Sequence, residues 1–175
     1  NKISNKKNIL ICAPTSAGKT VCSTYCAILG NKTIFVVPSD ELARQVGGIF
    51  RNMEGITVKI VTNKEYFPKD VDIENEKFNF NNNFKVLVGT PRRIEEYLII
   101  NGSNGFDYAI FDEWHMLNSN EGASLENIFK FIECPFLALS ATLDSPENLV
   151  NWMEEVKGQD VNLITYNRRF IIQQR

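Results

Sequence analysis

The densest run of chemistry-bearing residues is Ala13-Pro14-Thr15-Ser16-Ala17-Gly18-Lys19-Thr20, a small-x4-Gly-Lys-Thr pattern. It lies between an apolar run, Ile9–Ala13, and a helical pattern, Gly18–Leu29. A polyphosphate needs many donors converging at short range. The backbone N–H groups of Thr15, Ser16, Ala17, Gly18, Lys19 and Thr20 supply them if the loop wraps, and the following helix adds its positive dipole end. Gly18 removes a side chain where backbone must approach phosphate. Lys19 can reach the β- and γ-phosphates, and the Thr20 hydroxyl can ligate Mg²⁺. Ala13 stands where such loops usually begin with glycine, a small departure. The strand-before, helix-after context predicts nucleotide binding rather than a chance Gly-Lys-Thr in a plain turn.

A second concentration is Asp112-Glu113-Trp114-His115, directly after the apolar run Tyr108–Phe111. In a parallel α/β sheet, ligands sit at the carboxyl ends of strands, so Asp112 and Lys19 can meet across one crevice. Asp112 would hold Mg²⁺, mostly through water. Glu113 would orient and deprotonate an attacking water, since a carboxylate beside metal and phosphate is a competent general base. His115 is the only histidine of the chain. Two positions past Glu113, it reads as a residue coupling the site to its surroundings.

These residues need a scaffold, and the chain alternates short apolar runs with longer amphipathic ones. Strands are expected at Ile9–Ala13, Thr33–Val37, Val58–Val61, Val86–Val88, Tyr108–Phe111, Phe136–Leu139 and Val161–Ile164. Helices are expected over Gly18–Leu29, from Asp40 with Ser39 as cap, over Pro91–Ile100, over Leu125–Ile132, and from Ser145 to about Val156. The strands are continuous apolar runs, as a sheet buried on both faces requires, which predicts a P-loop α/β fold with a mainly parallel sheet flanked by helices. Residues 1–8 read as a polar lead-in and 9–166 as one domain. Residues 64–84 are Asn-rich and charged, a loop or insertion whose Phe67, Phe78, Phe80 and Phe84 either stack on bases or, the favoured reading, pack the segment onto the domain.

Composition agrees. A 175-residue chain is the size of one domain and buries roughly 70% of its unfolded surface without metal or disulfide support. Hydrophobic residues at 43% and charged residues at 23% exclude collagen-like and wholly disordered chains. A net charge of −2 and a pI near 5.5 argue against a uniformly basic nucleic-acid binder but leave room for a local basic stripe. No apolar run approaches a membrane span or forms a signal peptide, so an intracellular location, cytoplasmic or nuclear, is expected. Cys12, Cys22, Cys26 and Cys134 lack zinc-ligand spacing and are expected to be buried thiols in a reducing compartment.

Taken together, Ala13–Thr20, Asp112–His115 and Ser140-Ala141-Thr142 resemble motifs I, II and III of superfamily-two DExH helicases. Pro38-Ser39-Asp40-Glu41-Leu42-Ala43-Arg44-Gln45 resembles motif Ia, and Gly89-Thr90-Pro91-Arg92-Arg93 resembles motif Ib. Five motifs in order span nearly the whole chain. The phosphate loop and Cys134–Thr142 look most like the superkiller-type RNA helicases, nearest the interferon-inducible antiviral branch. The resemblance implies the first of two RecA-like domains, with residues 167–175 starting a connection to the second, which would supply arginine fingers. It implies that Ser140 and Thr142 link nucleotide state to strand binding. It also implies that Arg44, Gln45, Thr90, Arg92 and Arg93 contact single-stranded RNA. A helix opening at Pro91 with two arginines is independently suited to a phosphate, although the arginines would also suit an ordinary solvated helix face.

The expected activity is hydrolysis of Mg·ATP by a motor gripping single-stranded RNA, weak in this domain alone. A DNA translocase on the same core and a nucleotide-gated binding module without efficient hydrolysis are the alternatives.

Overall fold

A computed structural model describes residues 7–14, 19–62, 83–115 and 121–166, with backbone only for residues 19–21 and 26. Seven strands form one parallel sheet: β1 (Ile9–Cys12), β2 (Thr33–Val36), β3 (Val58–Val61), β4 (Val86–Gly89), β5 (Tyr108–Phe111), β6 (Phe136–Ser140) and β7 (Asn162–Thr165). Their spatial order is β3-β4-β2-β5-β6-β1-β7. Five helices connect them: α1 (Lys19–Leu29), α2 (Asp40–Arg51), α3 (Pro91–Asn101), α4 (Gly122–Phe131) and α5 (Pro146–Lys157).

Strand alternation splits the core in two. Leu10, Ile34, Val36, Leu87, Ala109, Phe111, Phe136 and Ala138 pack toward α3, α4 and α5, meeting Ile94, Leu98, Ile128, Phe129 and Met153. Their neighbours Ile9, Phe35, Val86, Ile110 and Leu137 pack toward α1 and α2, meeting Ala27, Ala43, Val46 and Phe50. This is the three-layer sandwich that the continuous apolar runs predict. The seven expected strands all form, with boundaries within one residue. Helix α4 begins three residues before the expected Leu125, with Gly122 buried in its first turn.

Local chemistry sets the element ends. The Ser39 hydroxyl accepts the Leu42 N–H at 3.3 Å, capping α2 as expected. Ser39→Ala should lower stability by about 1 kcal/mol, read as a shift of the urea midpoint at constant slope. Gly158 closes α5 in the left-handed conformation, at φ 62°, and its N–H donates to Glu154 O at 2.7 Å. Gly89 ends β4 where a Cβ would stand 2.6 Å from Val61 O, so only glycine lets β3 and β4 close there.

Other features emerge only in three dimensions. Asn8, in the polar lead-in, is 7% exposed. Its side chain accepts the Phe136 N–H at 3.3 Å and donates to Gln159 at 3.0 Å, tying the entrances of β1 and β6 to the α5–β7 connection. Lys157 donates to Ile132 O at 2.5 Å, and its ammonium lies 4.7 Å from the centre of the Phe129 ring. Burial holds its pKa below the ordinary lysine range, despite opposing pull from Cys134 and Glu133. Cys12 is buried, but Cys22 and Cys134 are only half-buried, lying at the periphery of the two cores. Cys26 falls outside the side chains described. Among the described residues no helix is long and apolar enough to cross a membrane.

Candidate functional site

Because every strand is parallel, all of their carboxyl ends share one edge of the sheet, and the proposed site residues follow those ends. In the chain, residues 15–18 fall between β1 and α1, and Lys19 and Thr20 open α1; residues 15–18, and the side chains of Lys19 and Thr20, are outside the described structure. Arg44 and Gln45 ride on α2 after β2. Thr90, Arg92 and Arg93 follow β4, Asp112–His115 follow β5, and Ser140 and Thr142 end and follow β6. Strand β6 is the single strand between β5 and β1. At about 4.8 Å per strand, the acidic and phosphate-loop ends are therefore roughly 10 Å apart. The Ala13 N–H donates to Ser140 O at 3.1 Å, so the first residue of the loop is bonded to the end of β6.

The acidic end has an unusual backbone. Asp112 is anchored by its N–H to Val36 O at 2.9 Å, and its Oδ1 accepts the Glu113 N–H at 3.1 Å. Glu113 then takes φ 57°, the one left-handed non-glycine conformation among the described residues. Such a backbone costs on the order of 1–3 kcal/mol and persists where its surroundings impose it, often at functional sites. The turn sends successive side chains apart. Trp114 goes fully into the core, whereas Glu113 and His115 stay at the edge with Glu113 Oε2 3.3 Å from His115 Nδ1.

His115 also reaches across the sheet edge. Its Nδ1 accepts the Ala141 N–H at 3.2 Å. A nitrogen that accepts carries a lone pair, so in the neutral ring this bond places the proton on Nε2. The Glu113 carboxylate and the Ala141 N–H thus meet at one ring nitrogen, which accepts from Ala141 through its lone pair and can pair with Glu113 only when it carries a proton instead. The sequence singled out His115 and its neighbours in 140–142 but not Ala141, because a backbone donor leaves no mark in residue type.

Two buried hydroxyls on this edge have no hydrogen-bond partner: Ser140 Oγ and Thr90 Oγ1. Thr90 is the N-cap residue of α3 yet makes no side-chain cap bond. An unmade bond at a buried hydroxyl costs about 1–3 kcal/mol, so both positions suit a polar ligand over the edge. The donor set also suits Mg²⁺, which takes one or two carboxylates and completes its shell with water and phosphate. Among the described residues no cluster of three metal-ligating side chains exists to hold a metal unaided.

The cationic residues are less concentrated. Arg92 and Arg93 both pair with Glu96 of their own helix, at 3.3 Å and 2.6 Å. That fits the ordinary helix-face alternative for their side chains, although the α3 N-terminus beside them still faces the edge. Gln45 and Thr142 are exposed, and Arg44 is half-buried. Phe84, one of four aromatics allowed to stack on bases, is 7% exposed and packs against Tyr97 and Phe106, as the packing alternative expects. Phe67, Phe78 and Phe80 fall outside the described residues.

Comparison with known proteins agrees with this architecture. The family model for DEAD/DEAH box helicases matches residues 1–149. An uncharacterized helicase, C28H8.3, of Caenorhabditis elegans is 30% identical over 196 residues, covering 97% of this chain and 11% of that protein. The human protein named "Probable ATP-dependent RNA helicase DDX60-like" is 30% identical over 172 residues, covering 89% of this chain and 9% of that protein. The ATP-dependent DNA helicase Hel308 of Methanococcus vannielii is 27% identical, covering 86% of this chain and 21% of that protein. The chain thus spans about a tenth of the length of the first two relatives. In fold it is similar to a hypothetical ATP-dependent RNA helicase from Sulfolobus tokodaii, with a TM-score of 0.71 and 24% identity, covering 94% of this chain and 49% of that one. A DEAD box protein from Methanococcus jannaschii gives a TM-score of 0.67 at 22% identity, covering 94% and 46%. The sheet and its flanking helices are therefore the RecA-like arrangement that the motifs imply, and with the family model matched over 1–149 the chain belongs to the DEAD/DEAH box helicase family.

Proposed function

We propose that the chain is the ATP-binding motor domain of an RNA helicase of the DExH, superkiller type, nearest the interferon-inducible antiviral branch. It acts with a second RecA-like domain. The observation that carries this reading is the placement of His115 Nδ1 within reach of both the Glu113 carboxylate and the Ala141 N–H, only one of which it can bond at a time. The carboxylate next to the nucleotide cleft thereby competes with the strand end beside Ser140, which is what a motor needs and a plain binding pocket does not.

The reaction is in-line attack of water on the γ-phosphate of ATP. Mg²⁺, when bound, neutralises charge on the β- and γ-phosphates, and Thr20 and Asp112 are the residues to hold it. Thr15, Ser16, Ala17 and Gly18 cradle the phosphates through their backbone N–H groups, and Lys19 stabilises charge as it develops. Glu113 accepts the proton of the attacking water. His115 reports the state of Glu113 to the 140–142 segment, where Ser140 and Thr142 pass it toward the nucleic acid. Arg44, Gln45, Thr90, Arg92 and Arg93 hold the strand by its phosphates. An arginine finger from the partner domain contributes about 10³–10⁵ in rate in related nucleotide hydrolases, so this domain alone turns over slowly.

A DNA motor is the second reading. Hel308 proteins, named as DNA helicases, match at 25–27% identity over 84–86% of this chain. The test is ATPase stimulation of the protein with its partner domain by single-stranded RNA and DNA of one sequence. Stimulation by RNA well above that by DNA is expected. Equal or greater stimulation by DNA would replace the RNA reading.

A further inference from the structure

Helices α3 and α4 pack side by side on one face of the sheet and leave a groove open to solvent between them. Glu95, Leu98 and Ile99 of α3 form one wall, and Asn127, Ile128 and Phe131 of α4 form the other. Each helix follows one strand and returns to the start of a parallel one, so both run away from the carboxyl edge of the sheet. The groove occupies their second halves and so lies away from the edge that carries Asp112 and Glu113. Leu98 and Ile128 are buried beneath it, whereas Ile99 is 72% exposed and Phe131 52%, with Ile100, next in the chain, at 79%.

Apolar residues exposed singly are common on proteins and need no explanation. Ile99 and Phe131 are not single: they face each other across one cavity of about 70 Å³. Small-molecule and cofactor sites run to roughly 300–1,000 Å³, so this one takes a side chain rather than a ligand. Each wall repeats at the spacing of one helical turn, Glu95 to Ile99 and Asn127 to Phe131. A third helix laid between two packed helices meets both walls with side chains at that same spacing.

The polar end of the groove carries a sign. Glu95 Oε1 accepts the Asn127 side-chain N–H at 2.7 Å, a neutral donor that leaves the carboxylate charge in place. The other acids of these helices have cations on their own helix: Glu96 pairs with Arg92 and Arg93, and Glu126 with Lys130. Among the described residues Glu95 forms no ion pair. The last turn of α3 holds no basic residue, so its negative dipole end is likewise unopposed. An uncompensated acid beside an apolar cavity is complementary to a cation beside an apolar anchor.

We propose that the α3/α4 groove docks a basic amphipathic helix of a partner protein, with one apolar side chain in the cavity and a lysine or arginine one turn away against Glu95. A second copy of this chain fits less well. Three exposed side chains offer on the order of a few hundred Å² of apolar surface, short of the ~800 Å² that each member of a stable pair covers. Groove against groove would also give Glu95 no cation, since no lysine or arginine lines it. The groove uses none of the nucleotide or strand residues, so this inference and the functional reading stand or fail separately.

Two synthetic peptides of about 14 residues, four helical turns, test it. Both carry leucine along one helical face; one has lysine and the other glutamate at the remaining positions. Backbone amide shifts of the unaltered chain locate the binding, and fluorescence anisotropy at physiological salt measures it. The lysine peptide should shift the amides of Leu98, Ile99, Ile128 and Phe131 and bind about tenfold more tightly than the glutamate peptide. Glu95→Lys should remove that preference, whereas Glu147→Lys, at an exposed acid in the first turn of α5, should keep it. The double variant I99D/F131D should weaken the lysine peptide by about tenfold or more without lowering the melting temperature, because both side chains are exposed. Shifts confined to other parts of the chain, or equal binding of the two peptides, would overturn the proposal. So would a loss at Glu147→Lys as large as at Glu95→Lys, which would show attraction to overall charge alone. Sedimentation equilibrium that finds pairs of the chain, broken by I99D/F131D, would assign the groove to a second copy instead. The amide shifts need no variant, so a variant that fails to fold does not spare the proposal.

Discussion

Glu113→Gln is expected to reduce nucleic-acid-stimulated ATP turnover by about 10²–10⁴-fold, the usual contribution of a positioned general base. The exchange keeps shape but removes the negative charge, and with it the ability to take a proton. ATP affinity and thermal stability should therefore stay at the level of the unaltered protein. Phosphate release under saturating RNA, with the partner domain present, measures the first, and a fluorescent nucleotide titration the second. The structure supports an effect on rate alone. Glu113 occurs in a left-handed backbone conformation that a side chain has no packing reason to adopt at the sheet edge. Its carboxylate lies 3.3 Å from His115 at the sheet edge. Turnover unchanged by the substitution would remove Glu113 from the chemistry and the motor reading with it.

Trp114→Ala carries the largest expected effect on stability. One residue beyond Glu113, the indole is fully buried. Its ring centre lies 4.9 Å from Phe111, 5.0 Å from Phe129 and 6.3 Å from Trp152, joining β5, α4 and α5. Removing a buried tryptophan costs about 3–5 kcal/mol, against a total of about 5–15 kcal/mol for a typical domain. At this size the melting temperature should fall on the order of 10 °C. Trp114→Phe should lose much less, since it keeps a ring and deletes an indole N–H that is buried without a partner. Because the same turn aims Glu113, the alanine variant should also lose ATPase activity below its own melting point. A melting temperature within about 2 °C of the parent would show that this cluster does not hold the turn.

The two substitutions mark how far residue type alone reaches. Asp112, Glu113 and His115 are conspicuous in the chain because charged residues directly after an apolar strand need a reason. The alternation of apolar runs and amphipathic helices likewise announces a parallel sheet covered on both faces, since only such a sheet buries Ile34-Phe35-Val36 on both sides at once. Trp114 is silent in the sequence. Between a candidate general base and a candidate coupling residue, nothing in its type says that it turns inward.

Asn8 was read as part of a polar lead-in and proves to be a buried bracket between strand entrances.

Residue order therefore determined the elements, the parallel class and the strand ends where phosphate chemistry belongs, because hydrophobic period and loop composition are local properties. The spatial strand order was decided only by the tertiary fold. It placed β6 between β5 and β1, and so brought Ala141 to His115 and set Ser140 beside the phosphate loop. Sheet neighbours are chosen by packing between residues remote in sequence, and no local pattern encodes which strand lies beside which.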